Sequence, residues 1–263
     1  MIGPELIGTA VIALGLLFAL TYWFGRRIDN YSVVDVVWSY AFAALAVFYA
    51  LAAEGWWVRR LVIAGMVVTW SLRLGTHLLH RVRSHHPAED GRYGEMRERW
   101  QANLGRKMFS FFQLQAVSVV VLGLPFLFAV INPVANLGWW EIAGVTLWLI
   151  AWTGETVADA QLAKFKRDPA NRGRVCNVGL WCYSRHPNYF CEWLIWVGVF
   201  LVGSSAVWGW IGIIAPASIL YLLLKVTGVP PTEAQALRSK GDAYRRYQAT
   251  TNVFFPGPSR ALR

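Results

Sequence analysis

Seven stretches of mostly apolar residues, at 5–24, 31–53, 57–80, 107–131, 139–160, 188–203 and 205–225, dominate this sequence. A helix that spans a bilayer needs about 20 such residues. The composition agrees. Hydrophobic residues make up 56% and charged residues 15%, against roughly 45–50% and 25% in soluble domains. Mean hydropathy is +0.38. These values exclude a disordered, collagen-like or coiled-coil chain and an ordinary soluble enzyme. The expected fold is all-α: a polytopic integral membrane protein with seven transmembrane helices. The first stretch follows MIGPE, which has no Lys or Arg, and no small-residue cleavage site comes after it. It therefore reads as a retained helix, not a signal peptide.

Charge placement orients the chain. The formal net charge is +10, which in a soluble protein would suggest nucleic acid. With seven spans, 22 of the 25 basic residues fall in segments on one face. The positive-inside rule makes that face cytoplasmic, the N-terminus outside and the C-terminus inside. No nucleic-acid partner is expected. The long polar segments 81–106, 161–187 and 227–263 share the basic face, where they can cap a cavity within a single domain, 1–263. Three cysteines at spacings unlike a zinc site, with no CxxC, argue against a metal centre or a disulfide framework.

Ionisable side chains at membrane depth are costly and mark function by default. Asp35 lies in the second stretch, Arg73 and His77 in the third, Glu155 and Asp159 in the fifth, and Asn188 and Glu192 in the sixth. Each of the last three stretches carries its pair at a spacing of four, so each pair shares one helix face. The alternative is mutual neutralisation, for example of Arg73 by Glu155. A second signal is the string Gly179-Leu-Trp-Cys-Tyr183-Ser-Arg185-His186-Pro187-Asn188-Tyr189. Pro187 suits a first helical position, and a helix start beside Arg185 and His186 suits a phosphate or carboxylate. A basic loop touching lipid headgroups is the bland reading of the same residues. His85-His86 has no companion ligands at metal spacing, and no Gly-x-Gly-x-x-Gly is present.

The run Glu155-Thr-Val-Ala-Asp159-Ala-Gln161, then Phe165-Lys166 and GLWCYSRHPNYFCE, resembles the bacterial DUF1295 family. Asn30–Trp38 and Trp70-x-x-Arg73-Leu74 resemble it too. That family groups with steroid 5α-reductases and sterol reductases. The resemblance implies a polytopic, NADPH-dependent enzyme that reduces the C4–C5 double bond of a 3-oxo-Δ4-steroid or a similar lipid-like enone. The cofactor would enter from the cytoplasm and the substrate from the bilayer. By position, Arg73, His77, Glu155, Asp159, Lys166, Arg174, Asn188 and Glu192 fall on cofactor-contacting places. Arg81, Tyr183, Arg185, His186, Tyr189, Glu233 and Tyr247 complete the expected cofactor contacts. The family's proton-donating Tyr is matched here by Trp70, so Asp35, kept protonated by burial, is the expected acid, with Tyr40 as the second candidate. Steroid or another hydrophobic enone and membrane lipid are the expected partners, for a monomer in a bacterial cytoplasmic (inner) membrane.

A second class shares part of this signature. Isoprenylcysteine carboxyl and phospholipid methyltransferases also carry Arg-His-Pro-x-Tyr, and a tail Glu followed by Gly-x-x-Tyr-x-x-Tyr. Here these are Arg185–Tyr189, Glu233 and Gly241-x-x-Tyr244-x-x-Tyr247. S-adenosylmethionine would then be the cofactor. The Glu155/Asp159 pair and the phosphate-suited Lys166 and Arg174 favour the larger, more anionic dinucleotide. A transporter would need a polar path across the bilayer, and the outer half of the chain is nearly uncharged.

Overall fold

The computed structural model describes residues 3–259, and among them there is no strand. Eleven α-helices run in the order α1 (Gly3–Arg27), α2 (Val33–Ala52), α3 (Trp57–His85), α4 (Gly91–Trp100), α5 (Leu104–Leu122), α6 (Leu124–Ile131), α7 (Trp139–Arg167), α8 (Pro187–Gly203), α9 (Ile214–Tyr221), α10 (Val229–Lys240) and α11 (Asp242–Thr250). Five helical stretches are long and apolar enough to cross a membrane: Gly3–Arg27, Val33–Ala52, Trp57–His85, Gly91–Ile131 and Gly209–Lys240. The apolar part of the last ends in a π-helical turn, Leu222–Val226, and the polar α10 follows Gly228. The fifth and sixth expected spans, α7 and α8, are not among the five. α7 has 29 residues but carries Glu155 and Asp159 within its apolar run. α8 has 17 residues, slightly short of a full crossing.

The chain packs as two compact units: Met1–Glu141 with Val202–Gly212, and Ile142–Leu201 with Ile213–Arg263. In the first, α1, α2, α3 and α5 bury Phe18, Phe42, Ile63, Trp70 and Phe112. Phe42 meets Trp38, Trp70 and Phe126 edge-on, the geometry that aromatic quadrupoles prefer. Trp70, at the position where a catalytic tyrosine was sought, is 2% exposed and part of this core.

One end of the first unit is held by a buried cation. Arg59 is 1% exposed. Its guanidinium donates to Glu141, to the carbonyls of Asn132 (3.0 Å), Val134 (2.9 Å) and Asn136 (2.6 Å), and faces the Trp56 ring. The first turn of α3 thereby fixes the connection that leads from α6 to α7. Trp57 at the start of α3, Trp139 and Trp140 at the start of α7, and Trp208 and Trp210 are exposed, as indoles at a membrane–water boundary commonly are.

Removing one partner of a buried ion pair strands the other charge, at a cost of about 3–5 kcal/mol. Arg59→Ala is therefore expected to lower unfolding stability in detergent by about that amount, measured by thermal or chemical denaturation. The double change Arg59→Met/Glu141→Leu, which removes both charges, should lose less than the single one.

Candidate functional site

In the first unit, α2 begins beside the segment that joins α3 to α4. Asp90 caps α4 by accepting from the Arg92 N–H at 3.1 Å, and its own N–H donates to Ser32 Oγ at 2.9 Å. Asp35, in the first turn of α2, accepts from Arg92 Nη2 at 2.7 Å and from the Tyr93 hydroxyl at 2.8 Å. Each carboxylate oxygen thus has its own donor. Arg81 reaches Asp90 at 3.0 Å and Asp35 at 3.9 Å. Burial alone would raise Asp90, but the hydrogen bonds and charge of Arg92 outweigh it and hold the carboxyl below its ordinary range. Arg97 binds Glu89 at 2.7 Å and Asp29 at 2.9 Å.

Tyr40 lies further along α2. Its hydroxyl is 3.1 Å from Thr76 Oγ1, and its ring lies on Gly75, where any Cβ would come within 2.7 Å of it. Glycine at 75 is therefore a requirement of this contact. Of the predicted residues in α3, Arg73 is half-buried and His77 exposed.

The second unit gathers the rest. Gly154 of α7 lies against Cys191 of α8, so close that a Cβ there would meet Sγ at 2.8 Å. This approach brings the two polar pairs together: Asn188 Nδ2 donates to Asp159 Oδ1 at 3.2 Å. Glu155, one turn before Asp159, is buried, and Glu192, one turn after Asn188, is half-buried. The loop that precedes α8 is pinned to α7 from both ends of one turn. Gln161 Oε1 accepts from the Leu180 N–H at 2.9 Å, and the Trp181 indole donates to the Ala158 carbonyl at 2.9 Å.

Glu233, in the polar α10 beyond the apolar stretch, is a hub. It accepts from Arg185 Nε at 2.7 Å, Gln248 Nε2 at 2.7 Å, His186 Nε2 at 3.3 Å and Tyr244 Oη at 3.4 Å. Arg185 Nη1 also donates to the carbonyls of Gln248 (3.0 Å) and Thr251 (2.7 Å). The Tyr247 hydroxyl donates to the Trp181 and Ser184 carbonyls. Ser184 Oγ donates to the Phe254 carbonyl at 2.8 Å and accepts from the His186 N–H at 3.1 Å. His186 stacks on Tyr189, whose hydroxyl is 3.1 Å from Thr232 Oγ1. Helix α11 and the segment after it are thus fastened to the start of α8. Gln248 has no place in the sequence-based reading, although it lies four residues after Tyr244 and so shares its helix face.

Arg174 and Tyr247 line a cleft of about 310 Å³ with Arg246, Asn177 and Thr250. Both arginines are exposed, as are Lys166 and Tyr183. Arg246 adds a cation that the sequence reading did not single out. The predicted cofactor residues therefore divide. Arg185, His186, Glu233 and Tyr247 form the internal hub, Arg174 faces the cleft with Arg246, and Glu155, Asp159, Asn188 and Glu192 belong to the α7–α8 face.

A family model described as "Protein of unknown function (DUF1295)" matches residues 21–251, and this is the family of steroid 5α-reductase-like proteins. The chain is 26% identical over 277 residues to "Uncharacterized protein C594.04c" of Schizosaccharomyces pombe, covering 92% of this chain and 76% of that one. It is 37% identical over 79 residues to "Uncharacterized protein C9.08c" of the same yeast, covering 24% of this chain and 28% of that one. No solved structure matches.

Burial would raise the Glu233 carboxyl, but its hydrogen bonds from His186, Arg185 and Gln248 and the Arg185 charge bring it from 4.5 to about 2. A carboxyl depressed on folding contributes stability above its unfolded value, and that contribution is lost as pH falls through the folded value. Stability should therefore decline as pH falls from 4.5 towards about 2. Glu233→Gln should flatten that part of a pH–stability profile.

Proposed function

We propose that this chain, which belongs to the DUF1295 family, is an integral membrane reductase that uses NADPH to saturate a carbon–carbon double bond conjugated to a ketone, in a 3-oxo-Δ4-steroid or a similar lipid-like enone. The observation that carries this reading is the meeting of α7 and α8 at Asp159 and Asn188, 3.2 Å apart. Glu155 and Glu192 extend the same polar face at a depth where polar groups are otherwise expensive.

The residues suit such a cofactor by their donor chemistry. Arg174 and Arg246 line one cleft, and paired guanidinium groups recognise phosphate through charge-assisted hydrogen bonds. Lys166 can add a further positive charge. Asn188 has an amide able to pair with a carboxamide, and Asp159 orients it. When bound, NADPH supplies a hydride for the β-carbon of the enone. The chain's own part is to hold phosphate on Arg174 and Arg246, to order the amide of Asn188, and to deliver a proton as enolate charge is relieved. Of the two α2 candidates, Asp35 is paired with the Arg92 charge and accepts from the Tyr93 hydroxyl, so the proposed proton donor is the Tyr40 hydroxyl, 3.1 Å from Thr76 Oγ1. Arg73 and His77 of α3 are proposed as further cofactor contacts.

The same proposal has seven spans. α7 is long enough to cross, and α8, at about 26 Å, nearly matches the hydrocarbon core of about 30 Å. The basic segments then share the cytoplasmic face, with the N-terminus outside, in a cytoplasmic membrane.

The methyltransferase reading has one observation in its favour. Arg185, His186, Glu233, Tyr244 and Tyr247, which carry its signature, are assembled in one hub. Their donors and acceptors are spent on one another and on carbonyls, however. The shared motif is thereby accounted for as a fastening of the tail, a role that either chemistry would tolerate.

Purified protein in detergent is expected to oxidise NADPH when given a Δ4-3-ketosteroid, followed by the loss of nucleotide absorbance. Methyl transfer from S-adenosylmethionine with no NADPH turnover would overturn the assignment. Arg174→Ala and Arg246→Ala should each weaken NADPH binding about tenfold, as expected for loss of a charge-assisted hydrogen bond. Tyr40→Phe should lower kcat by about a hundredfold or more with little change in nucleotide affinity.

A further inference from the structure

An apolar groove of about 340 Å³ runs along the first unit where α1, α2 and α3 meet. Leu17 and Phe24 of α1, Val36 and Val37 of α2, and Leu79 and Val82 of α3 line it. Its one hydroxyl, on Thr21, is spent on the Leu17 carbonyl at 2.7 Å, so the groove offers a ligand no polar handle.

Polar groups follow the lining residues along the chain. α1 finishes in Arg26 and Arg27, and α3 carries Arg83 one residue past Val82. All three arginines are exposed, and the Arg26 guanidinium lies over the exposed Trp23 ring. The acids in this corner are already engaged: Asp35 and Asp90 with Arg92 and Arg81, and Glu89 and Asp29 with Arg97. Neither Arg26, Arg27 nor Arg83 has an acidic partner among the described residues. An apolar furrow whose lining helices run on into three cations without acidic partners complements a long-chain amphiphile with a negative head.

We propose that this groove binds an anionic phospholipid, with one acyl chain along α1–α3 and the phosphate headgroup at Arg26, Arg27 and Arg83. The assignment rests on the membrane reading of the chain and is independent of the reductase chemistry. Juxtamembrane arginines gain free energy from anionic headgroups, and the chain gains from burying methylene groups. A neutral fused-ring ligand would use the furrow and ignore the arginines. Free phosphate would use the arginines and ignore the furrow.

Native mass spectrometry of the full chain, with phosphatidylglycerol and phosphatidylcholine of equal chain length offered together, tests this. Retention of phosphatidylglycerol over phosphatidylcholine is expected. Arg26→Ala/Arg27→Ala/Arg83→Ala should reduce retention by about a hundredfold, while the triple Lys variant should keep most of it. Val37→Trp, which fills the furrow, should also release the lipid with the arginines intact. Equal retention of both lipids, or of phosphatidylglycerol by wild type and both loss variants, would overturn the proposal. So would equal binding of inorganic phosphate, or displacement of the lipid by a Δ4-3-ketosteroid. NADPH oxidation by the arginine variants is a separate readout, and its survival or loss bears on the reductase reading alone.

Discussion

A full charge in an apolar surround is tolerable only beside a counter-charge and enough donors or acceptors to replace water. Arg59, Asp35 and Glu233, among the described residues, meet that demand. Arg59 is satisfied by Glu141 and three carbonyls. Asp35 is satisfied by Arg92 and Tyr93. Glu233 is satisfied by Arg185, Gln248, His186 and Tyr244. In each case a side chain on a helix fastens a connecting segment or a neighbouring short helix. The polar segments that follow the long helices are therefore held in defined places, and the positions of the candidate functional groups follow from them.

Groups that neutralise one another cannot also serve a ligand at full strength. Arg185 shows this most clearly: a helix start with an adjacent arginine reads as an anion site, yet the guanidinium is committed to Glu233 and to backbone carbonyls. Arg81 is committed in the same way to Asp90. The cations left facing solvent in the second unit include Lys166, Arg174 and Arg246. On the proposed reading, recognition of a ligand thus falls to fewer residues than the net charge suggests.

Much of this was legible in the sequence. Most long apolar runs gave helices close to their expected bounds, because hydrophobic length and the absence of breakers decide both; the run at 205–225 instead passes from a 3-10 turn at Gly209–Ile213 through α9 to the π-helical turn. The run expected at 107–131 divides at Gly123 into α5 and α6. Spacing of four puts Asp159 on one face of α7 with Glu155, and Asn188 on one face of α8 with Glu192; the meeting of the two faces is a tertiary feature, which glycine at 154 allows. Tertiary pairing was less readable. Nothing local joins Asp35 to Arg92 and Tyr93, 57 and 58 residues away, or Glu233 to Arg185. Such partners are set by how the chain returns on itself, which periodicity does not encode. Gln248 was passed over for the same reason: an exposed-looking amide on a short amphipathic helix reads as solvated until its acceptor is known.

The central claim is that the polar face of α7 and α8, with the arginine-lined cleft, belongs to an enzyme built for a nicotinamide dinucleotide. Native mass spectrometry of the freshly purified chain, read for the identity of any nucleotide that travels with it, tests this most directly. A bound NADP(H), lost from the Asn188→Ala variant, is the expected result. S-adenosylmethionine in its place, or NADP(H) retained undiminished by that variant, would contradict it.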